Sequence, residues 1–344
     1  MAHQSLYRAY RPQSFKDVAG QEQVTKPLEE QVKNETVGHA YLFAGSRGLG
    51  KTSVARIFAR ELGSSEKDIY EIDAASNNTV EDIRQLTENV YTLPFESKFK
   101  VYILDEAHML SKSAWNAFLK TLEEPPPHAL FILATTELEK VPETVQSRCQ
   151  VFTFKKPSRE GLTTLVSNVA KKEGYTIEPA AADLIALLAE GSYRDALSIL
   201  EKVLSTSADK KITLAETENA TGAPRRALVE SFVSALSEGN HAKALEVIAS
   251  LAHEHIEYQL YLSLVLEYMR SVLLVRHAPE LRKEIEQELG SEAFESIKNV
   301  ADSKESKLTH HTLAAFLDAA SRMRYSPVPA LALELAVYGL ADAG

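Results

Sequence analysis

Residues Gly45-Ser46-Arg47-Gly48-Leu49-Gly50-Lys51-Thr52 constrain this chain more than any other segment, because they fit the pattern G-x-x-x-x-G-K-[ST]. The flanks agree with it. The apolar run Ala40-Tyr41-Leu42-Phe43-Ala44 reads as a buried strand entering the loop, and Val54, Ile57, Phe58 and Leu62 recur at helical spacing after it. Strand, glycine-rich turn and helix are the geometry that cradling a phosphate requires. Glycines let backbone N–H groups turn inward, the helix N-terminus adds partial positive charge, and a lysine neutralises the outer phosphates. Gly45, Ser46, Arg47, Gly48, Leu49, Gly50, Lys51, Thr52 and the following Ser53 therefore form the expected nucleotide-binding set, with the Thr52 hydroxyl offered to Mg²⁺.

The rest of segment 1–155 alternates in the same way. Candidate strands are 40–44, Ile69 to Asp73, Lys100 to Leu104, Ala129 to Ala134 and Gln150 to Phe154, and candidate helices lie at 22–33, 52–62, 79–90 and 111–123. Strands alternating with helices imply a doubly wound, mostly parallel α/β sheet. Pro125-Pro126-Pro127 ends the helix over 111–123, since proline has no N–H and its ring clashes with a continuing turn. Beyond Lys156-Pro157 nearly every segment reads as helix, punctuated by Gly174, Gly191, Gly222 and Gly239. Ala223-Pro224 looks like a joint, and Phe232, Leu236, Leu245, Ile248 and Leu251 then recur at near-helical spacing. The expected organisation is a nucleotide-binding domain over 1–156, a small helical domain over 157–222 and an all-helical domain over 223–344. Those apolar stripes are read as core, and no chemistry is legible in the last segment.

Hydrolysis needs a second half of the site. Lys100-Val101-Tyr102-Ile103-Leu104 ends in Asp105-Glu106, and the last residues of a parallel strand emerge at the sheet's carboxyl edge beside the phosphate loop. Asp105 is placed to hold Mg²⁺, and Glu106 to orient and deprotonate a water. The other reading is a solvated acidic turn. Thr135 and Thr136 end the next strand at the same edge. Arg148 and Arg194 are cations of interest, although an isolated arginine is more often a surface or salt-bridge residue. Cys149 reads as a small buried residue, no Cys-His pair being evident.

Composition excludes other classes. The single cysteine rules out an internal disulfide and a multi-cysteine metal site, and the polar stretch Met1 to Arg11 carries no signal-peptide core. No apolar run approaches a membrane span, so a cytoplasmic protein without a membrane partner is expected. The net charge of −10 argues against a surface basic all over; nucleic acid, if bound, must be met by a few placed groups.

Taken in order, Leu6-Tyr7-Arg8-Ala9-Tyr10-Arg11-Pro12, Phe15-Lys16-Asp17-Val18-Ala19-Gly20-Gln21, His39 to Phe43, the phosphate loop, Leu104-Asp105-Glu106-Ala107-His108, Leu119 to Pro126, Leu133-Ala134-Thr135-Thr136, Ser147-Arg148-Cys149 and Gly191 to Ser198 resemble the AAA+ clamp-loader ATPases. The likeness covers roughly residues 1–200; the last segment matches only in length and helical character. It implies a P-loop AAA+ domain with a five-stranded sheet, a small helical lid and an all-helical collar that joins a ring, by expectation of five subunits. It also implies roles: Arg148 as a finger on a neighbour's ATP, Thr136 and Arg194 as sensors of the γ-phosphate, and the segment around Pro12 and Val18 against the adenine. The function implied is ATP-driven opening of a ring-shaped sliding clamp and its loading onto primed DNA, with ATP and Mg²⁺ as cofactors and the other clamp-loader subunits as partners.

DNA would meet helix N-termini. Thr79-Val80-Glu81-Asp82 looks like a capping box, and Thr79, Arg84 and Lys112 are the candidate phosphate contacts, the alternative being ordinary solvated helix faces. One departure from the family is plain: where its bacterial members carry a four-cysteine zinc module, Glu61 to Asp68 runs straight toward the next strand, so no zinc is expected. Against the longer members of that family, which reach polymerase and helicase through an extension, the expectation is a gamma-like form, a shortened piece or a lineage with a shorter protein. A catalytically silent subunit of the same ring, or an AAA+ machine unconnected to clamps, are the competing functions.

Overall fold

The computed structural model describes residues 4–207, 209–254, 256–289 and 291–342. The outermost residues of the expected first and last domains lie outside them. The chain separates into two compact units, Met1–Leu165 with Ala186–Ser198, and Val166–Ile185 with Ile199–Gly344.

The first unit opens with a single turn, α1 (Leu6–Ala9), then alternates α2 (Glu22–Lys33), β1 (Ala40–Ala44), α3 (Lys51–Glu61), β2 (Ile69–Asp73), α4 (Val80–Val90), β3 (Lys100–Asp105), α5 (Lys112–Glu123), β4 (Ala129–Thr135), α6 (Glu143–Gln146) and β5 (Gln150–Thr153). Every strand and long helix lies within a residue of its expected bounds. Thr79 is the N-cap of the expected capping box, its hydroxyl accepting Asp82 N–H, and Ser111, read as the first helical residue of α5, is instead an N-cap that accepts Ala114 N–H. The strand order is β2-β3-β4-β1-β5, and all four pairings are parallel. Alternation across the strands splits the core in two. Leu42, Tyr102, Leu104, Phe131 and Leu133 face α4 and α5, whereas Tyr41, Phe43, Val101, Ile103 and Ile132 face α2 and α3. Every residue of β1 and β4 is buried, as expected of central strands covered on both faces.

Seven residues, 62–68, join α3 to β2. Asp68 closes this link from inside. Its carboxylate accepts the N–H groups of Phe95 (2.5 Å), Glu96 (3.0 Å) and Ser97 (2.9 Å). Burial opposes its ionisation, but the N–H groups of Glu96, Phe95 and Ser97 outweigh burial and hold the carboxyl at about 2. Nearby, buried Lys100 donates to Asn89 O and Thr92 Oγ1, both at 2.7 Å, closing the carboxyl end of α4.

Three helices carry the chain between the units: α7 (Arg159–Lys172), α8 (Pro179–Leu188) and α9 (Tyr193–Thr206). The second unit also holds a short parallel pair, β6 (Thr176–Ile177) with β7 (Lys211–Ile212), in a stretch where the sequence offered helices and no strand. Two residues per strand are too few for periodicity to reveal. Then follow α10 (Leu214–Thr221), α11 (Arg226–Glu238), α12 (His241–His253), α13 (Tyr258–His277), α14 (Arg282–Leu289), α15 (Ser291–Asp302), α16 (His310–Met323) and α17 (Pro329–Asp342). Phe232, Leu236, Ile248 and Leu251 are core as expected, joined by Tyr261, Met269, Phe316 and Leu333. Arg276 fastens the link from α15 to α16 by donating to the carbonyls of Val300, Ala301 and Leu308.

Candidate nucleotide site

The phosphate loop leaves the carboxyl end of β1 and enters α3 at Lys51. Gly50 caps that helix with φ 93°, a left-handed conformation that a side chain disfavours. Gly48, at φ 77°, has a second reason to lack a side chain: a Cβ there would lie 1.9 Å from Ser192 Oγ. Lys51 is buried, 6% exposed, and donates to the carbonyls of Gly45 (2.7 Å) and Ser46 (2.9 Å). Burial lowers its pKa, while the Glu106 and Asp105 carboxylates pull it back up.

Register brings the other half alongside. Thr52 Oγ1 donates to Asp105 Oδ2 at 2.8 Å. A hydroxyl and one carboxylate are a fitting donor set for Mg²⁺, which holds several waters and substrate phosphates rather than a full protein cage. Glu106 has φ 50° and ψ 43°, unusual for a residue with a side chain. Its Oε2 accepts the Thr136 hydroxyl at 3.1 Å. Thr135, fully buried, ties β4 to the loop through its carbonyl, which accepts Gly45 N–H at 3.1 Å.

Over this edge lies a cavity of about 680 Å³ whose lining includes Pro12, Val18, Leu165, Arg47, Lys51 and Arg194. An adjoining hollow of about 650 Å³ shares Arg47, Arg56, Glu71, Asp105, Glu106 and Arg194 with it and adds Asp73. The start of α9 meets the loop: Tyr193 N–H donates to Gly48 O at 3.1 Å, while Tyr193 OH donates to Ala19 O at 2.8 Å. The Arg194 guanidinium stands 4.7 Å from the centre of the Tyr7 ring.

Leu49, Gly50, Thr52 and Ser53 line the same cavity as Pro12, Val18 and Arg194. Gly45 and Ser46 serve through their carbonyls, and Thr136 reaches the site through Glu106. Four expected residues lie elsewhere. Arg148 donates to Glu123 Oε1 (2.5 Å) and Thr144 O (2.7 Å). Thr79 and Asp82 form a reciprocal capping box, Arg84 pairs with Glu81 on the exposed face of α4, and Lys112 is exposed at the start of α5. The two helix starts adjoin, Ser111 N–H donating to Asn78 O at 3.2 Å. Burial pushes the Cys149 thiol up to about 12, which makes it inert.

Sequence reasoning missed Tyr7, Arg11, Arg56, His108 and Ser192 as site residues. Arg11 lines the cavity and donates to Ser53 Oγ at 2.8 Å. Tyr7, Arg11 and His108 lie inside runs that carry the family resemblance, but no spacing rule assigns them chemistry; only the fold brings them to this edge.

Comparison with known proteins agrees with this geometry. Family models match along the chain: DNA polymerase III, delta subunit, at residues 20–79 and 64–158; DNA polymerase III clamp loader subunit, ATPase lid domain, at 162–209; and DNA polymerase III subunits gamma and tau domain III at 212–343. The chain is 38% identical to DNA polymerase III subunit tau of Bacillus subtilis over 321 residues, 86% of this chain and 56% of that protein. It is 35% identical to DNA polymerase III subunit gamma of Buchnera aphidicola over 306 residues, 83% of this chain and 84% of that protein. The chain spans about half the length of the first of the curated relatives it matches, from 40% to 56%. Among solved structures, the RuvB Holliday junction branch migration motor of Thermotoga maritima shares the fold, with TM-score 0.54, 23% identity, and coverage of 74% of this chain and 90% of that one. The first unit thus has the AAA+ fold, and the match to nearly the whole Buchnera subunit settles kinship: the chain belongs to the gamma/tau family of DNA polymerase III clamp-loader subunits.

Proposed function

We propose that this chain is an ATP-hydrolysing motor subunit of a DNA polymerase III clamp loader, which opens a sliding clamp and loads it onto primed DNA. The observation that carries this reading is the bond from Thr52 Oγ1 to Asp105 Oδ2, beside a buried Lys51 and beneath a cavity large enough for a nucleotide. In this reading the domains are 1–156 for nucleotide, 157–222 as lid and 223–344 as collar, a division that the lid and domain III matches support.

Lys51 turns from the Gly45 and Ser46 carbonyls to the outer phosphates, and the loop N–H groups cradle them. Thr52 and Asp105 hold Mg²⁺, and Pro12 and Val18 flank the adenine. When bound, Mg²⁺ supplies charge neutralisation of the phosphate oxygens. Glu106 accepts a proton from the attacking water, Thr136 reports the γ-phosphate through Glu106, and Arg194 closes from the lid side. Arg148 leaves Glu123 to serve a neighbour's ATP, which makes the active site a property of a ring, by this reading of five subunits. Thr79, Arg84 and Lys112 meet DNA phosphate. Zinc has no part in the proposal. The setting is the cytoplasm; among the described residues no helix is long and apolar enough to cross a membrane.

The test is ATP hydrolysis measured with and without sliding clamp plus primed DNA. Stimulation by the pair is expected; its absence sinks the clamp-loading role. An Arg148→Ala ring should bind nucleotide yet hydrolyse it about 10³-fold more slowly, the usual scale for an arginine finger; normal turnover would remove that role. The delta-subunit match over 20–158 favours a second reading, a catalytically silent, delta-prime-like subunit of the same ring. Intact Lys51, Thr52, Asp105 and Glu106 weigh against it, and a complex whose turnover ignores their loss would restore it.

A further inference from the structure

His108 is a histidine that the proposed mechanism does not use, and its surroundings are specific. It sits in the one-turn helix Ala107–Met109 that follows Asp105-Glu106, with 7% of its side chain exposed. Nδ1 lies 3.1 Å from Thr135 Oγ1 and 3.5 Å from Glu106 Oε2, and Nε2 lies 3.3 Å from Glu137 Oε1. A buried imidazole filling a gap needs one partner. This one stands between two carboxylates, one of them the proposed base.

The partners on β4 are themselves fixed. Thr135 Oγ1 accepts Glu137 N–H at 3.0 Å, and the Thr135 carbonyl accepts Gly45 N–H at 3.1 Å. Glu137 is anchored by Lys140 Nζ, which reaches both carboxylate oxygens, Oε1 at 2.9 Å and Oε2 at 2.8 Å. Glu106 Oε2 is therefore approached by two groups carried on one frame, the Thr136 hydroxyl directly and the His108 ring through Thr135. Glutamate has three rotatable side-chain bonds and here a left-handed backbone, so without such a frame its carboxylate would sample several positions. A general base must lie within hydrogen-bond reach of its proton, and a displacement of ~1 Å can cost about 10²-fold in rate.

We propose that His108 is a positioning residue for Glu106: its Nδ1 edge, fixed by Thr135, holds the carboxylate at the end of β4, in register with the start of the phosphate loop. This rests on the reading of Glu106 as the base. The role differs from that of a space-filling histidine, because it requires a polar atom at Nδ1 rather than a ring of the right size.

The experiment measures kcat and KM for ATP with the full chain in its assembled ring. His108→Ala should lower kcat by about tenfold or more with KM nearly unchanged, since a displaced base slows chemistry without loosening phosphate contacts. His108→Asn sets an amide near the Nδ1 position and should recover most of kcat, whereas His108→Gln reaches toward the Nε2 position and should not. In a Glu106→Gln background, His108→Ala should cost nothing further, because the two act as one unit. Equal rates for the Asn and Gln variants, or wild-type kcat in His108→Ala, would overturn the inference while leaving Glu106 as the base. Wild-type turnover in Glu106→Gln would overturn both. If His108→Ala fails to fold, the Asn and Gln pair decides alone.

Discussion

The first unit buries two lysines, one at each edge of the same parallel sheet. Lys51, 6% exposed, stands at the carboxyl edge and Lys100, 4% exposed, at the amino edge. Both lose pKa to desolvation, and both spend their donors on nearby oxygens. The difference lies in what the oxygens belong to. Lys51 holds carbonyls of its own loop, beside two carboxylates and a cavity, so another anion can take their place. Lys100 holds Asn89 O and Thr92 Oγ1 at the end of α4, and its ammonium lies over the Tyr70 and Tyr102 rings at 5.1 and 5.7 Å. Burial of a charge is thus no signature of function by itself; exchangeable partners are.

The comparison breaks if the two lysines behave alike. Lys51→Ala should lower DNA-stimulated ATP hydrolysis by about 10³-fold with little change in Tm, because charge stabilisation is lost while the core is intact. Lys100→Met should do the opposite. Two acceptors lose their donor, so unfolding free energy measured in urea should drop by about 2 kcal/mol while turnover per folded molecule is kept. Asp68 sharpens the amino edge further. Its folded pKa is depressed to about 2, so its contribution is present above the unfolded value near 3.8 and is lost as pH falls between them. Asp68→Asn should remove about 2 kcal/mol at neutral pH and flatten the acid limb of the stability curve over that window; an unchanged limb would refute the assignment. The smallest effect belongs to the exposed charges at the helix starts. Arg84→Ala with Lys112→Ala should leave stability within about 0.5 kcal/mol, since surface pairs such as Arg84 with Glu81 contribute little. The same variant should bind primed DNA several-fold more weakly with a shallower salt dependence, and an unaltered salt slope would return both helix faces to plain solvation.

The two edges were also unequally legible. Gly50-Lys51-Thr52 and Asp105-Glu106 follow spacing rules because phosphate chemistry demands fixed residue types at fixed intervals, and the strands leading to them show their period in the apolar run. Asp68 and Lys100 follow no such rule. Apart from the Thr92 hydroxyl, the partners described for them are backbone groups of 89–97, which look the same whatever the side chains. His108 was hidden for a related reason: its neighbours Thr135 and Glu137 come from the next strand's end, a pairing fixed by sheet register. In the second unit, the Phe232 to Leu251 stripe was readable as core, but the β6–β7 pair was too short to leave a pattern.

The contact at Gly48 changes what the loop pattern means. Read as text, the motif leaves that position blank, open to any residue. In the folded chain the blank is filled in from far downstream, because Ser192 occupies the space any side chain would take and Tyr193 bonds the Gly48 carbonyl. The loop therefore carries two messages in one stretch, one addressed to phosphate and one to the segment that leads into α9. A substitution at Gly48 would leave the first legible and garble the second.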